Sequence, residues 1–120
     1  MRRDGFRSGL EASISAALAR RGVVFEYEKH KVVYTSKPHT YTPDLYIPST
    51  GIFVEIKGYF TGKDRTKHLR VKEQHPDMDL RFVFSNASNR LSKASKTTYG
   101  AWCDRHGFLW AEKTVPEEWT

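Results

Sequence analysis

At 120 residues the chain has room for one hydrophobic core, a single domain over 1–120, and not for two. Lys and Arg total 20 against 14 Asp and Glu, a formal charge of +6 that favours a polyanionic partner, while 38% hydrophobic residues exclude a disordered chain. The single cysteine, Cys103, excludes an intramolecular disulfide and points to a reducing, intracellular compartment, and no apolar run approaches the roughly 18 residues of a membrane span.

The first predicted element is a helix. Ser8 is placed to cap it, Glu11 stands three residues on, Leu10, Ile14, Ala17 and Leu18 recur at helical spacing, and Gly22 stops it. Residues 23–28 (VVFEYE) and 29–35 read as extended, as do residues 41–47, with Pro38, Pro43 and Pro48 breaking the stretch up. Pro48-Ser49-Thr50-Gly51 is turn chemistry, so residues 41–47 and 52–57 form an antiparallel hairpin that ends at Gly58. Residues 63–74 lack Gly and Pro and form a helix with Asp64 near its start and Pro76 past its end. Residues 80–84 (LRFVF) are a core strand, 85–98 a Ser/Asn/Thr-rich loop, 98–106 a short helix stopped by Gly107, and 108–111 a last strand. This alternation predicts an α/β fold with a mixed central sheet flanked by helices.

The hairpin carries the chemistry. Period-two alternation puts Val54 and Ile56 on one face of the second arm and Phe53, Glu55 and Lys57 on the other. Pairing across the turn brings Asp44, just after Pro43, toward Glu55, so two carboxylates and an ammonium share one patch. Hard Mg²⁺ takes oxygen ligands of this kind and makes bound water more nucleophilic, and Mn²⁺ substitutes for it. Glu11 keeps two readings, a partner in the helix capping box or a carboxylate turned toward the sheet. Glu26 and Glu28 read as the polar face of a half-buried strand.

Positive charge concentrates around this patch. Between residues 57 and 73 six basic residues (Lys57, Lys63, Arg65, Lys67, Arg70, Lys72) face only Asp64 and Glu73. The 85–105 stretch adds Arg90, Lys93, Lys96 and Arg105 against Asp104, and residues 29–37 add Lys29, Lys31 and Lys37. Lys63, Arg65, Lys67, Arg70, Lys93 and Lys96 are therefore the candidate phosphate-contacting residues, able to hold a nucleic-acid backbone without reading bases; the resemblance described below makes that backbone DNA. His39, near Pro43-Asp44, has three readings, a base, a DNA contact or a hydrogen-bonded structural residue, of which the last is favoured, and Trp102, Trp110, Trp119 and Cys103 are expected to belong to the core or an interface.

Several segments together carry a resemblance. Phe6-Arg7-Ser8-Gly9-Leu10-Glu11, Phe25-Glu26-Tyr27-Glu28, His39-Thr40-Tyr41-Thr42-Pro43-Asp44, Gly51-Ile52-Phe53-Val54-Glu55-x-Lys57-Gly58, Lys67-His68-Leu69, Glu73-Gln74-His75-Pro76 and Tyr99-Gly100 occur in order. From about Phe6 to Trp119 the chain resembles the endonuclease I family of T-odd bacteriophages, Holliday-junction-resolving enzymes of the PD-(D/E)xK superfamily. That resemblance implies a restriction-endonuclease-like fold and metal-dependent hydrolysis of branched DNA inside a host cell. It implies catalytic roles for Glu11, Asp44, Glu55 and Lys57, with metal held by Asp44, Glu55 and the Ile56 backbone carbonyl, and a further acidic position at Glu26. It also implies an intertwined homodimer with shared active sites, in which residues 5–28 are exchanged, 29–40 bridge the subunits and 41–120 form the catalytic core. The family pattern continues into a lysine-rich tail where this sequence stops at Thr120, so DNA affinity from such a tail is expected to be missing or to have been trimmed away.

Two rival readings stand beside this one. A PD-(D/E)xK nuclease acting on linear or mismatched duplex DNA uses the same site. A non-catalytic basic DNA-binding module uses the charge alone, but leaves unexplained why carboxylates, which repel phosphate without an intervening cation, stand in a basic protein.

Overall fold

The computed structural model describes residues 8–34 and 39–120; Phe6 and Arg7, and residues 35–38 of the expected bridge with Lys37 among them, lie outside the described residues. The first helix, α1 (Gly9–Arg20), starts where Ser8 Oγ accepts the Glu11 N–H at 3.0 Å. Its inward stripe is Glu11, Ile14, Ser15 and Leu18. The strand expected over 23–28 shortens to β1 (Glu26–Tyr27). Glu28 adopts a positive φ of 48°, which an extended strand cannot hold, and turns its N–H to the Asp44 carbonyl at 2.9 Å.

The strand expected over 41–47 is two strands in two sheets. β2 (Val32–Tyr34) pairs antiparallel with β3 (His39–Tyr41), while β4 (Leu45–Ile47) pairs with β1 on one side and β5 (Ile52–Lys57) on the other. The chain changes partners across Thr42-Pro43-Asp44, because Pro43 has no N–H for a ladder and disfavours regular geometry before it. Gly51, at φ 75°, closes the β4–β5 turn in the left-handed region that glycine enters without strain.

After β5 come α2 (Gly62–Gln74), β6 (Asp79–Phe84), α3 (Tyr99–His106), β7 (Trp110–Glu112) and a 3₁₀ turn at Glu117–Trp119. The main sheet has the order β1-β4-β5-β6-β7, antiparallel through β5 and parallel from β5 to β7. This is the mixed α/β sheet flanked by helices that the element order predicts. Ile14 and Leu18 of α1 pack on Leu45, Ile47, Ile52, Val54 and Val83, an aliphatic core closed by Val115 and Trp119. The other core is aromatic, with Phe60, Phe82, Phe84, Tyr99, Trp102 and Phe108 around Val71 and the buried Cys103. Gly100 lets α3 approach closely, since a Cβ there would stand 2.6 Å from the Trp110 ring.

His68 of α2 sits inside the aromatic core with no exposure, its ring edge-on to Tyr41 and Phe82, and no described group bonds either ring nitrogen. Burial, reinforced by the positive charge of Lys57 and Lys67, holds its pKa well below the ordinary 6.5. The unfolded chain takes up this proton near 6.5 and the folded one does not, so folding stability falls as the pH drops below that value. Thermal melts are expected to show a drop in Tm between about pH 7 and pH 5 that His68→Leu makes smaller; equal slopes would contradict this account.

Candidate active site

The β4–β5 register explains how the hairpin assembles the site. Leu45 lies opposite Val54 and the ladder stops there, so the Ile56 N–H has no backbone partner on β4; Asp44 Oδ2 accepts it at 2.7 Å. The Asp44 carboxylate is thereby fixed beside a backbone flanked by Glu55 and Lys57. The Ile56 group seen in contact with it is the N–H, whereas the carbonyl is the group that the resemblance implies for metal binding.

Glu55 and Lys57 project from the same face of β5, as alternation requires, and they meet. Glu55 is 4% exposed; its Oε1 accepts the Tyr41 hydroxyl at 2.5 Å and its Oε2 lies 3.2 Å from Lys57 Nζ. Lys57 Nζ also reaches Asp64 Oδ1 at 3.3 Å. Burial pulls the Lys57 pKa down, but Glu55, Asp64 and Asp44 together outweigh it and raise the pKa above 10.5. Lys57 is therefore an ammonium at neutral pH, able to donate hydrogen bonds and neutralise charge but not to accept a proton.

Asp64 was legible only as a helix-start residue. It closes a capping box with Thr61, each side chain accepting the other's backbone N–H at 3.2 Å, while its second oxygen holds Lys57. Burial opposes its ionisation, yet Lys57 and the Thr61 hydrogen bonds hold its carboxyl below the usual range. One residue thus ties the start of α2 to the ammonium.

On the α1 side of the site, Glu11, Glu28 and Asp44 bring carboxylate oxygens within 4.8 Å of one another, with Glu11 and Asp44 buried. The Glu11 carboxylate is turned inward, where Tyr27 Oη donates to its Oε1. Ser8 caps the Glu11 backbone N–H, the half of the capping box that the structure records, while the Glu11 carboxylate follows the other reading and faces the sheet. Glu28, expected on the polar face of a strand, instead takes a positive φ, and its carboxylate joins the cluster. Glu26 instead pairs with His30 and with Lys29 at 3.3 Å. The donor set is entirely oxygen, suited to a hard divalent cation, and closely spaced buried carboxylates repel unless a cation stands among them. Glu55 stands in the adjacent Tyr41–Lys57–Asp64 group, joined to the cluster through Asp44 and the Ile56 N–H.

The basic residues divide by location. Lys63, Lys67 and Arg70 line a groove of about 510 Å³ with Tyr34, Asp64 and His39. His39 is exposed there, beside Lys63 and Lys67. Arg65 donates to the Phe60 carbonyl at 2.7 Å and so fastens the loop before α2. Lys93 and Lys96 are exposed on the 85–98 loop. Among the described residues no helix is long and apolar enough to cross a membrane.

The sequence profile of the phage endonuclease I family matches residues 1–120. The chain is 50% identical over 116 residues to Endonuclease I of Escherichia phage T7, covering 95% of this chain and 77% of that protein. It is 47% identical over 113 residues to Endodeoxyribonuclease 1 of Enterobacteria phage T3, covering 92% of this chain and 74% of that one.

Proposed function

The chain belongs to the phage endonuclease I family, and from that premise we propose that it is a Mg²⁺-dependent endonuclease that cuts four-way and other branched DNA inside a host cell. The observation that carries this reading is the Asp44 carboxylate, bonded to the Ile56 N–H between Glu55 and Lys57 and met by Glu11 and Glu28, in a chain of net charge +6. The names of the relatives, an endonuclease and an endodeoxyribonuclease, support a phosphodiester of DNA as the bond cut.

Asp44, Glu55 and Glu11 would hold the metal, with Glu28 adding a fourth carboxylate. A bound Mg²⁺ supplies a more nucleophilic water and offsets charge on the phosphoryl oxygens. The protein's own groups do the rest. Tyr41 and Lys57 each hold one Glu55 oxygen and so fix its orientation. Lys57, kept protonated by its carboxylate neighbours, places positive charge where the transition state gains negative charge. Lys63, Lys67 and Arg70 seat the phosphate backbone in the groove beside Asp64.

The functional unit in this reading is a homodimer in which residues 5–28 are exchanged and 29–40 bridge the subunits. Exchange preserves each contact and changes only which chain supplies it, so the exchanged segment 5–28 would bring Glu11 and Glu28 of one chain to the Asp44 carboxylate of the other. The dimer also doubles the basic surface offered to a four-armed substrate.

The test compares a synthetic four-way junction with linear duplex of the same strand sequences, in Mg²⁺ and in EDTA. Cutting of the junction that stops in EDTA is expected, with the duplex resistant. Equal cutting of both substrates would favour the linear-duplex nuclease, and tight junction binding without cutting would favour the non-catalytic module.

A further inference from the structure

Among the described residues, Tyr59 stands apart from the other Phe, Tyr and Trp side chains. It follows Lys57 by two positions, at the carboxyl end of β5, and is 83% exposed. Its neighbour Phe60 is buried against Phe82, Phe84 and Trp102, which anchors the chain and leaves Tyr59 directed outward. A single exposed aromatic needs no explanation, but the surroundings of this one are specific. Tyr59 and Tyr99 line an open concavity of about 460 Å³ with Asn89, Arg90, Ser92 and Lys93, a lining that carries two cations and no acid.

The concavity is built from hydrogen-bonded loop. The Ser85 N–H donates to the Lys57 carbonyl at 3.1 Å and joins the 85–98 loop to the end of β5. Across that loop Leu91 N–H bonds the Thr97 carbonyl at 2.9 Å, and Tyr99 N–H bonds the Asn89 carbonyl at 2.9 Å. Ala87 N–H is held by Glu112 Oε2 at 2.8 Å. The lining residues are thus set before any ligand arrives. They gather outside the carboxyl ends of the parallel strands β5 and β6, where open α/β sheets place their ligands.

We propose that this concavity is a nucleotide-stacking subsite, in which Tyr59 stacks on an unpaired or unstacked base of the branched DNA while Arg90 and Lys93 contact its flanking phosphates. This rests on the branched-DNA reading above and names which part of the substrate the site takes. The chemistry is complementary at both ends of a nucleotide. An aromatic ring accepts any base through its π-face, and paired cations accept the backbone, so the subsite grips DNA without reading sequence. A continuous duplex keeps its bases stacked and offers no face to Tyr59, whereas a branch point does. Tyr59 follows Lys57 by two positions, so a base held there lies at the same end of β5 as Lys57.

The experiment uses a four-way junction carrying 2-aminopurine beside the branch point, held in EDTA so that it stays intact, with linear duplex as reference. Wild type is expected to bind the junction in preference to duplex and to quench the probe. Tyr59→Ala is expected to weaken junction binding about tenfold and lose the quench, while Tyr59→Phe stays within about twofold of wild type. Duplex binding should be the same for all three proteins. Tyr59→Ala binding and quenching like wild type would overturn the subsite while leaving the junction reading intact. Wild type that binds junction and duplex equally would overturn the junction reading, and the subsite's substrate with it.

Discussion

Asp44→Asn is expected to lower junction cleavage by about 10³-fold or more, since a cation's stabilisation of the reacting phosphate is worth several kcal/mol and each tenfold in rate corresponds to about 1.4 kcal/mol. The substitution is chosen to separate chemistry from folding. Asn keeps an oxygen that can accept the Ile56 N–H, so the hairpin hydrogen bond survives, while the negative charge is removed. Removing it also relieves repulsion within the Glu11–Glu28–Asp44 cluster. In EDTA the variant is therefore expected to melt higher than wild type, by several degrees if about 1 kcal/mol is regained. An inactive variant that is more stable than its parent identifies the cluster as a functional arrangement held at a cost to stability. Retained cleavage, measured as single-turnover cutting of a labelled junction in Mg²⁺, would refute the assignment.

The second expected result concerns whose Glu11 completes each site. Glu11→Ala and Lys57→Ala are each expected to be inactive alone. If residues 5–28 are exchanged, co-refolding the two variants gives heterodimers in which one site receives both defects and the other receives none. Random pairing makes half of the dimers heterodimers, so activity should recover to about a quarter of the wild-type level. If each chain instead completes its own site, both sites of every heterodimer carry a defect and the mixture stays inactive. The assay thus reads the connectivity of the active site, which the geometry of one chain, with Glu11 beside its own Asp44, leaves to either arrangement.

Much of the fold was legible because local signals agreed with one another. The Pro48–Gly51 turn sets the β4–β5 register, alternation then turns Glu55 and Lys57 to one face, and capping and stop residues bound all three helices within about two residues. Residues 41–47 look like one strand in sequence and fall into two sheets, because hydrophobic pattern reports burial and not which sheet a residue joins. The proline inside it was the available sign of the break.

The site was legible where it follows strand periodicity and hidden where it depends on backbone departures. Glu28 enters the cluster through a positive φ, which a non-glycine residue adopts rarely and which Glu26-x-Glu28 does not announce. Asp64 reaches Lys57 from the next helix, a tertiary contact that its Thr61-x-x-Asp64 capping pattern does not encode. Tyr41 lies fourteen residues before the Glu55 it positions, on a strand of the other sheet. Composition located the basic surface, but only the packing separates Lys63, Lys67 and Arg70 in the groove from Arg65, which is committed to the Phe60 carbonyl.

The central claim is that these buried carboxylates converge in order to hold a cation. Calorimetric titration of the DNA-free protein with Mn²⁺ tests it most directly, because the readout needs neither substrate nor turnover. The account predicts saturable Mn²⁺ binding by wild type that Asp44→Asn weakens by at least about tenfold, the equivalent of about 1.4 kcal/mol. Equal Mn²⁺ binding by the two proteins would contradict it.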